Sequence, residues 1–201
     1  MLTLANDIVC MKHFDELDPI LTILNKGGLI LYPTDTTWSI GCDATNANAI
    51  DRIFDLKQRD KNKPFVVLVS SLEMLAKYVE HLHPRIETLL VYHQRPLTII
   101  YDNAKNLPDS VQTQDGRVGI RLVQDPFCKA MIDAFGKPII SSAANIGAVP
   151  LPTHFGEISS AVITGVNYVV RHRRQDRNME QPSVIARMMD DGSGELEFLR
   201  E

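Results

Sequence analysis

The chain has 201 residues, 44% of them hydrophobic and 23% charged, with a formal charge of −4 at pH 7. That length can bury well over half of the unfolded surface without a disulfide or metal staple. The composition excludes a disordered, collagen-like or low-complexity chain, and the net charge excludes a protein coated in nucleic acid. No apolar run nears the roughly 18 residues of a membrane span, and the first residues lack a basic-then-apolar leader, so the expectation is a soluble, cytoplasmic protein with no membrane partner. Cys10, Cys42 and Cys128 are far apart, with no C-x-x-C spacing, and read as reduced thiols.

Along the chain, Asp18-Pro19 reads as a helix start with Asp as N-cap, and Gly27-Gly28 as its left-handed end. Leu29–Pro33 is a buried strand that breaks into the polar string Thr34–Thr37. A helix over about Asn48–Lys57 puts Ile50, Ile53 and Phe54 on one face and ends among cations. Phe65–Val69 is a strand, and Ser70 with Glu73 forms a capping box for a helix reaching about Val79. A helix over Pro84–Tyr92 and a strand over Leu97–Tyr101 follow, then a polar loop over 102–117 expected to be mobile. Val118–Leu122 alternates, with Val118, Ile120 and Leu122 on one face and Gly119 and Arg121 on the other. Asp125-Pro126 opens a helix closed by Gly136, and Pro138–Ser141 is a strand. A helix near 154–162 and strands at Tyr168–Val170, 183–187 and 195–199 complete one α/β-type domain spanning residues 1–201.

No P-loop or Rossmann glycine fingerprint is present, so any triphosphate would be held by side-chain cations. Lys57, Arg59, Lys61 and Lys63 are the densest supply; they read either as a solvated helix end favoured by the macrodipole or as a phosphate site. Thr34–Thr37 follows a strand, where α/β sheets collect ligands, but the same residues make an ordinary polar turn. Arg121 lies inside an apolar strand, where an unpaired guanidinium is costly; it either pairs with a buried carboxylate or receives an anionic ligand. Ile139–Gly147 places small residues and Asn145 directly after a strand, as a ligand contact or a plain strand-to-loop transition.

Six segments occur in a familiar order: Tyr32–Thr36, Gly41–Ala44, Lys57-x-Arg59-x-x-x-Lys63-Pro64, Pro96–Thr98, Val118–Arg121 and Ser141–Asn145. From about Leu24 to Arg200 the chain resembles the YrdC/YciO-like threonylcarbamoyl-AMP synthases. The resemblance implies an α+β, three-layer fold: a twisted mixed β-sheet flanked by helices, with a concave basic cavity. It implies formation of threonylcarbamoyl-AMP and pyrophosphate from L-threonine, bicarbonate and ATP with Mg²⁺, and no metal held by protein side chains alone. A downstream threonylcarbamoyl transferase would pass the group to tRNA. Lys57 and Arg59 would be catalytic; Thr34, Thr36, Arg121, Ser142 and Ser183 would bind threonine; Lys57, Arg59, Lys63, Asn145 and Arg200 would bind ATP. The alternative is a YciO-like nucleotide- or RNA-binding protein on the same fold without synthase activity.

The sequence departs from the family pattern in places. Ala143 replaces the serine of Ser-x-Asn, Leu151 replaces a serine found in some relatives, and Gln94-Arg95-Pro96 replaces Pro-Gly-Pro. Where relatives tend to show Asp-Gly-Gly, this chain has Arg171-His-Arg-Arg-Gln-Asp-Arg177, either a solvated surface or a contact for tRNA or double-stranded RNA. His81 and His83 fit one strand face but lack a nearby third ligand, and the single tryptophan, Trp38, reads as core or as a wall of the site.

Overall fold

Glycine, proline and side-chain caps punctuate the apolar runs into alternating strands and helices. The computed structural model describes residues 16–177, 181–189 and 195–200; Cys10 lies outside them. In chain order the elements are α1 (Leu17–Asn25), β1 (Ile30–Pro33), β2 (Trp38–Gly41), α2 (Ala47–Lys57), β3 (Val66–Val69) and α3 (Leu72–Leu75). They continue with α4 (Pro84–Tyr92), β4 (Leu97–Tyr101), β5 (Val118–Leu122), α5 (Pro126–Phe135) and β6 (Ile139–Ala143). Last come α6 (Ser160–Gly165), β7 (Tyr168–Val169), β8 (Val184–Met188) and β9 (Leu196–Arg200).

These strands form one mixed sheet in the order β7-β1-β2-β6-β3-β5-β4-β8-β9. β1 with β7, β3 with β5, and β4 with β8 are parallel; the other neighbours are antiparallel. A helical layer covers each face. On one, Ile20 and Leu24 of α1 pack with Phe127, Met131 and Ile132 of α5 over Tyr32 and Leu68. On the other, Ile50, Ile53 and Phe54 of α2, Ile86 and Leu90 of α4 and Val162 of α6 cover Ile40, Val67 and Ile99. The backbone approach is close where β2 meets β6. A Cβ on Gly41 would lie 2.5 Å from the Ile140 carbonyl oxygen and 2.6 Å from the Tyr32 ring, so only glycine fits there.

Several expectations need correcting. Glu16, not Asp18, occupies the N-cap of α1; its carboxylate accepts instead from Tyr168 Oη and from the N–H groups of Arg171 and His172. The strand β2 was not anticipated. Ser71, not Ser70, caps α3, and that helix stops at Leu75. The region 154–162 is a 3-10 turn (Phe155–Glu157) followed by α6, which Ser159 caps. Within 102–117, a 3-10 turn at Asp109–Val111 tucks a fully buried Val111 into the core, and Lys105 N–H bonds the Tyr78 carbonyl. His83 lies on no strand: its Nδ1 accepts from Arg85 N–H as the N-cap of α4.

Candidate active site

The turn between β1 and β2 is closed by its own side chains. Thr34 Oγ1 accepts from the N–H groups of Thr36 and Thr37 and contacts Thr36 Oγ1 at 3.0 Å. Thr34 therefore shapes the turn, and it lines a small recess there with Trp38 and Arg173. Asp35 is buried within the turn; its Oδ2 accepts from Gln124 N–H at 3.2 Å, and its Oδ1 lies 3.1 Å from Arg121 Nη2.

Arg121 both pairs with a carboxylate and retains donors. It is 3% exposed in the middle of β5, and its Nη1 donates to Thr36 Oγ1 at 3.2 Å. Its approach to Asp35 is an ion pair without hydrogen-bond alignment, so Arg121 Nε and Nη2 and Asp35 Oδ1 have no hydrogen-bond partner among the described residues. Buried polar atoms left in that state are uncommon and mark a place for a ligand group. Arg121 lines a cavity of about 140 Å³ with Thr36, Thr37, Ser39, Val66, Ser141, Ala143, Leu151, Pro182, Ser183 and Arg200. Arg200 reaches in from β9, holding the Ser183 carbonyl through Nε (2.9 Å) and Nη2 (2.7 Å), while Ser183 Oγ meets Thr98 Oγ1 at 2.9 Å. Burial and then the nearby Arg121 charge push the Arg200 pKa down. Two guanidiniums facing one carboxylate leave a surplus positive charge in the cavity.

A second cavity, about 440 Å³, is lined by Lys57, Gln58, Arg59, Asp60, Lys63, Asn145, Gly147 and Ala148. α2 ends there because Gln58 adopts a left-handed conformation, φ 49°, which turns the chain toward Arg59. Lys57 lies inside the wall: its ammonium donates to the carbonyls of Ala143 and Asn145 and, at 3.1 Å, to Asn145 Oδ1. Asn145 Nδ2 in turn donates to the Val149 carbonyl at 2.7 Å. Burial, followed by the Arg59 charge, lowers the Lys57 pKa to about 8. Arg59 is braced by the carbonyls of Lys63 and Pro64 and lies over the Phe65 ring, with burial lowering its pKa. The Ala143–Asn145 segment thus separates the two cavities.

Strand parity sorts the serines of β6 between its two faces, and the cavity lining adds a residue that motif reading missed. Ser141 and Ala143 line the smaller cavity, whereas Ser142, expected to bind threonine, is buried opposite Ile40 and lines neither. Ser39 is the unanticipated member; its Oγ accepts from Ser141 Oγ at 3.0 Å. Trp38 is core, 5% exposed, and packs on Phe155 with ring centroids 4.9 Å apart. Cys42 and Cys128 are buried free thiols whose pKa values burial raises. Among the described residues no group of three or more His, Cys, Asp or Glu converges as a metal site, and no helix is long and apolar enough to cross a membrane.

The family model for Sua5/YciO/YrdC, described as telomere recombination, matches residues 22–201. The chain belongs to the Sua5/YciO/YrdC family. A relative in Vibrio parahaemolyticus, named threonylcarbamoyl-AMP synthase, is 32% identical over 174 residues, 85% of this chain and 93% of that protein. The family fold is also plain in solved structures. P. abyssi Sua5 complexed with L-threonine superposes with a TM-score of 0.79 at 21% identity, covering 92% of this chain but only 53% of the longer Sua5. E. coli YciO gives 0.76 at 22% identity, covering 92% of this chain and 88% of its own.

Proposed function

We propose that the chain is a threonylcarbamoyl-AMP synthase, using ATP, L-threonine and bicarbonate and releasing pyrophosphate. The observation that carries this reading is the buried Arg121 with unsatisfied donors beside Arg200, in a cavity of amino-acid size. Those donors suit the threonine carboxylate, since charge-assisted contacts to a guanidinium are strong and directional. Ser39, Ser141 and Ser183 line the same cavity and would meet the threonine hydroxyl or amine. Arg59 and Lys63 open onto the larger cavity, where a triphosphate would sit.

The threonine amine, uncharged, attacks the carbon of carbon dioxide and gives up a proton to solvent, or attacks bicarbonate with loss of water, to form the carbamate. The carbamate oxygen then attacks the α-phosphorus of ATP as pyrophosphate leaves. Both partners of the second step are anions, so the chain contributes fixed positive charge and alignment and no covalent nucleophile. Lys57 serves by holding the Ala143–Asn145 segment between the cavities and by its charge there. Mg²⁺ would arrive on the phosphates and offset their charge. The product is a mixed anhydride suited to a downstream transferase that modifies tRNA in the cytoplasm.

The test is pyrophosphate release by the purified chain with ATP and Mg²⁺, leaving out threonine and bicarbonate in turn. Release that needs both is the expected result. Release with neither required, or none from folded protein that still binds ATP, would overturn the reading.

A further inference from the structure

Within the run Arg171–Arg177, Arg173 is packed against the back of the turn that borders the smaller cavity. Arg173 adopts a left-handed backbone, φ 59°, which a non-glycine residue takes up only when its surroundings fix it. Its Nη1 donates to the Thr34 carbonyl at 3.1 Å and to Asp125 Oδ2 at 3.0 Å, and its Nε to Asp176 Oδ2 at 2.8 Å. Arg174 holds the carbonyls of Val169 and Val170 and covers the Phe155 ring at 4.9 Å; Phe155 packs on Trp38, which follows Thr37. His172 stacks on Phe127 at 4.7 Å. A line of polar contacts therefore runs from Arg173 through Thr34 and Thr36 to Arg121 Nη1. Residues 121–125 hold the turn directly through Arg121 and Gln124 on Asp35, and indirectly through Asp125, which pairs with the Arg173 that bonds Thr34.

We propose that Arg173 is a positioning residue for the amino-acid pocket: it fixes the Thr34–Thr37 turn from behind, so that Thr36 orients Arg121 on the far side. The proposal rests on the synthase reading for the identity of the ligand. Arg173 touches no substrate in this role. Loss of the guanidinium frees the Thr34 carbonyl and strips Asp125 of its cation, and the turn then drifts; misplacement on the order of 1 Å is enough to weaken a site severely.

The single tryptophan gives a ligand-free readout, because Trp38 adjoins both the turn and Arg173 in one small recess. In Arg173→Gln, Trp38 emission should shift red, and L-threonine affinity by calorimetry should fall roughly tenfold with ATP affinity unchanged. Arg173→Lys should recover part of both. Asp125→Asn, which keeps a good cap for α5 while removing the anchoring charge, should reproduce the loss and guards against misfolding of the glutamine variant. Arg171→Gln, altering an exposed neighbour, should change neither. If Arg173→Gln and Asp125→Asn both keep wild-type emission and threonine affinity, or weaken threonine and ATP equally, the positioning role is wrong. If the wild-type chain binds no threonine, the synthase reading fails, while the Trp38 shift still decides whether Arg173 fixes the turn.

Discussion

Arg121 and Asp35 form a pair whose two halves should respond alike in stability and oppositely in binding. Their side chains are 4% and 7% exposed, with 3.1 Å between Nη2 and Oδ1. Removing either partner leaves a buried charge without compensation, a cost of about 3–5 kcal/mol in comparable pairs. Arg121→Gln and Asp35→Asn should therefore both lose about that much in urea unfolding of the ligand-free protein. Binding separates them. Arg121→Gln removes the donors proposed for the threonine carboxylate, worth about 1.5–3 kcal/mol, so threonine affinity should drop roughly 10- to 100-fold. Asp35→Asn removes a competing negative charge and leaves the guanidinium free for the ligand. Threonine affinity should then rise, and saturating threonine should restore more stability to this variant than to the wild type. Calorimetry and urea melts with and without threonine measure both effects. Weaker binding by Asp35→Asn, or a threonine-induced gain no larger than the wild type's, would refute the argument that Arg121 serves two carboxylates in turn.

Two further predictions concern the wall between the cavities. As pH rises through about 8, Lys57 loses the proton that completes its contacts to Ala143 and Asn145, so kcat/KM should decline on an alkaline limb near that value. A Lys57→Arg variant, charged throughout, should lack the limb whatever its residual rate; a limb in the same place would assign it to another group. Global stability moves the other way, because the folded pKa is depressed. Between it and the unfolded value the unfolded chain binds more protons, and stability rises with pH. Ala143→Ser adds a hydroxyl on the side of β6 that lines the smaller cavity, and L-threonine affinity should improve severalfold in a binding titration; an unchanged or weaker affinity would show that the alanine is accommodated by the cavity as built.

Elements with self-contained signals were the legible ones. Asp125 capping Cys128 N–H with Gly136 at φ 72°, and Pro84 at the start of α4, set their helices through local chemistry. β2 carries no such mark: its four residues are a strand because β1 and β6 flank them, which only the assembled sheet supplies. The same distinction holds at the site. Arg121 was visible as a charge in an apolar strand, but its partner Asp35 is far away in sequence, so pairing and ligand binding could not be separated. Ser141 and Ser142 could not be told apart in sequence: the motif names neighbouring serines, and the pleat sends Ser141, not Ser142, to the cavity lining. Within the Arg171–Arg177 run, Arg171 and Arg177 are exposed while Arg173 and Arg174 turn inward, a split the sequence hides because the acceptors are mostly backbone carbonyls and scattered aspartates.

The strand order also governs how quickly the molecule can form. β1 and β2 are adjacent in sequence, but β1 pairs with β7, β2 with β6, and β4 with β8, each joining distant parts of the chain. Such closures cost entropy before they yield contacts, and sheets built this way fold slowly, in milliseconds to seconds. For as long as β2 or β3 lacks β6, its unpaired edge is open to pairing with other chains. A substitution far from either cavity can therefore lower the yield of active protein by prolonging that interval, with no change in the chemistry of the molecules that complete it.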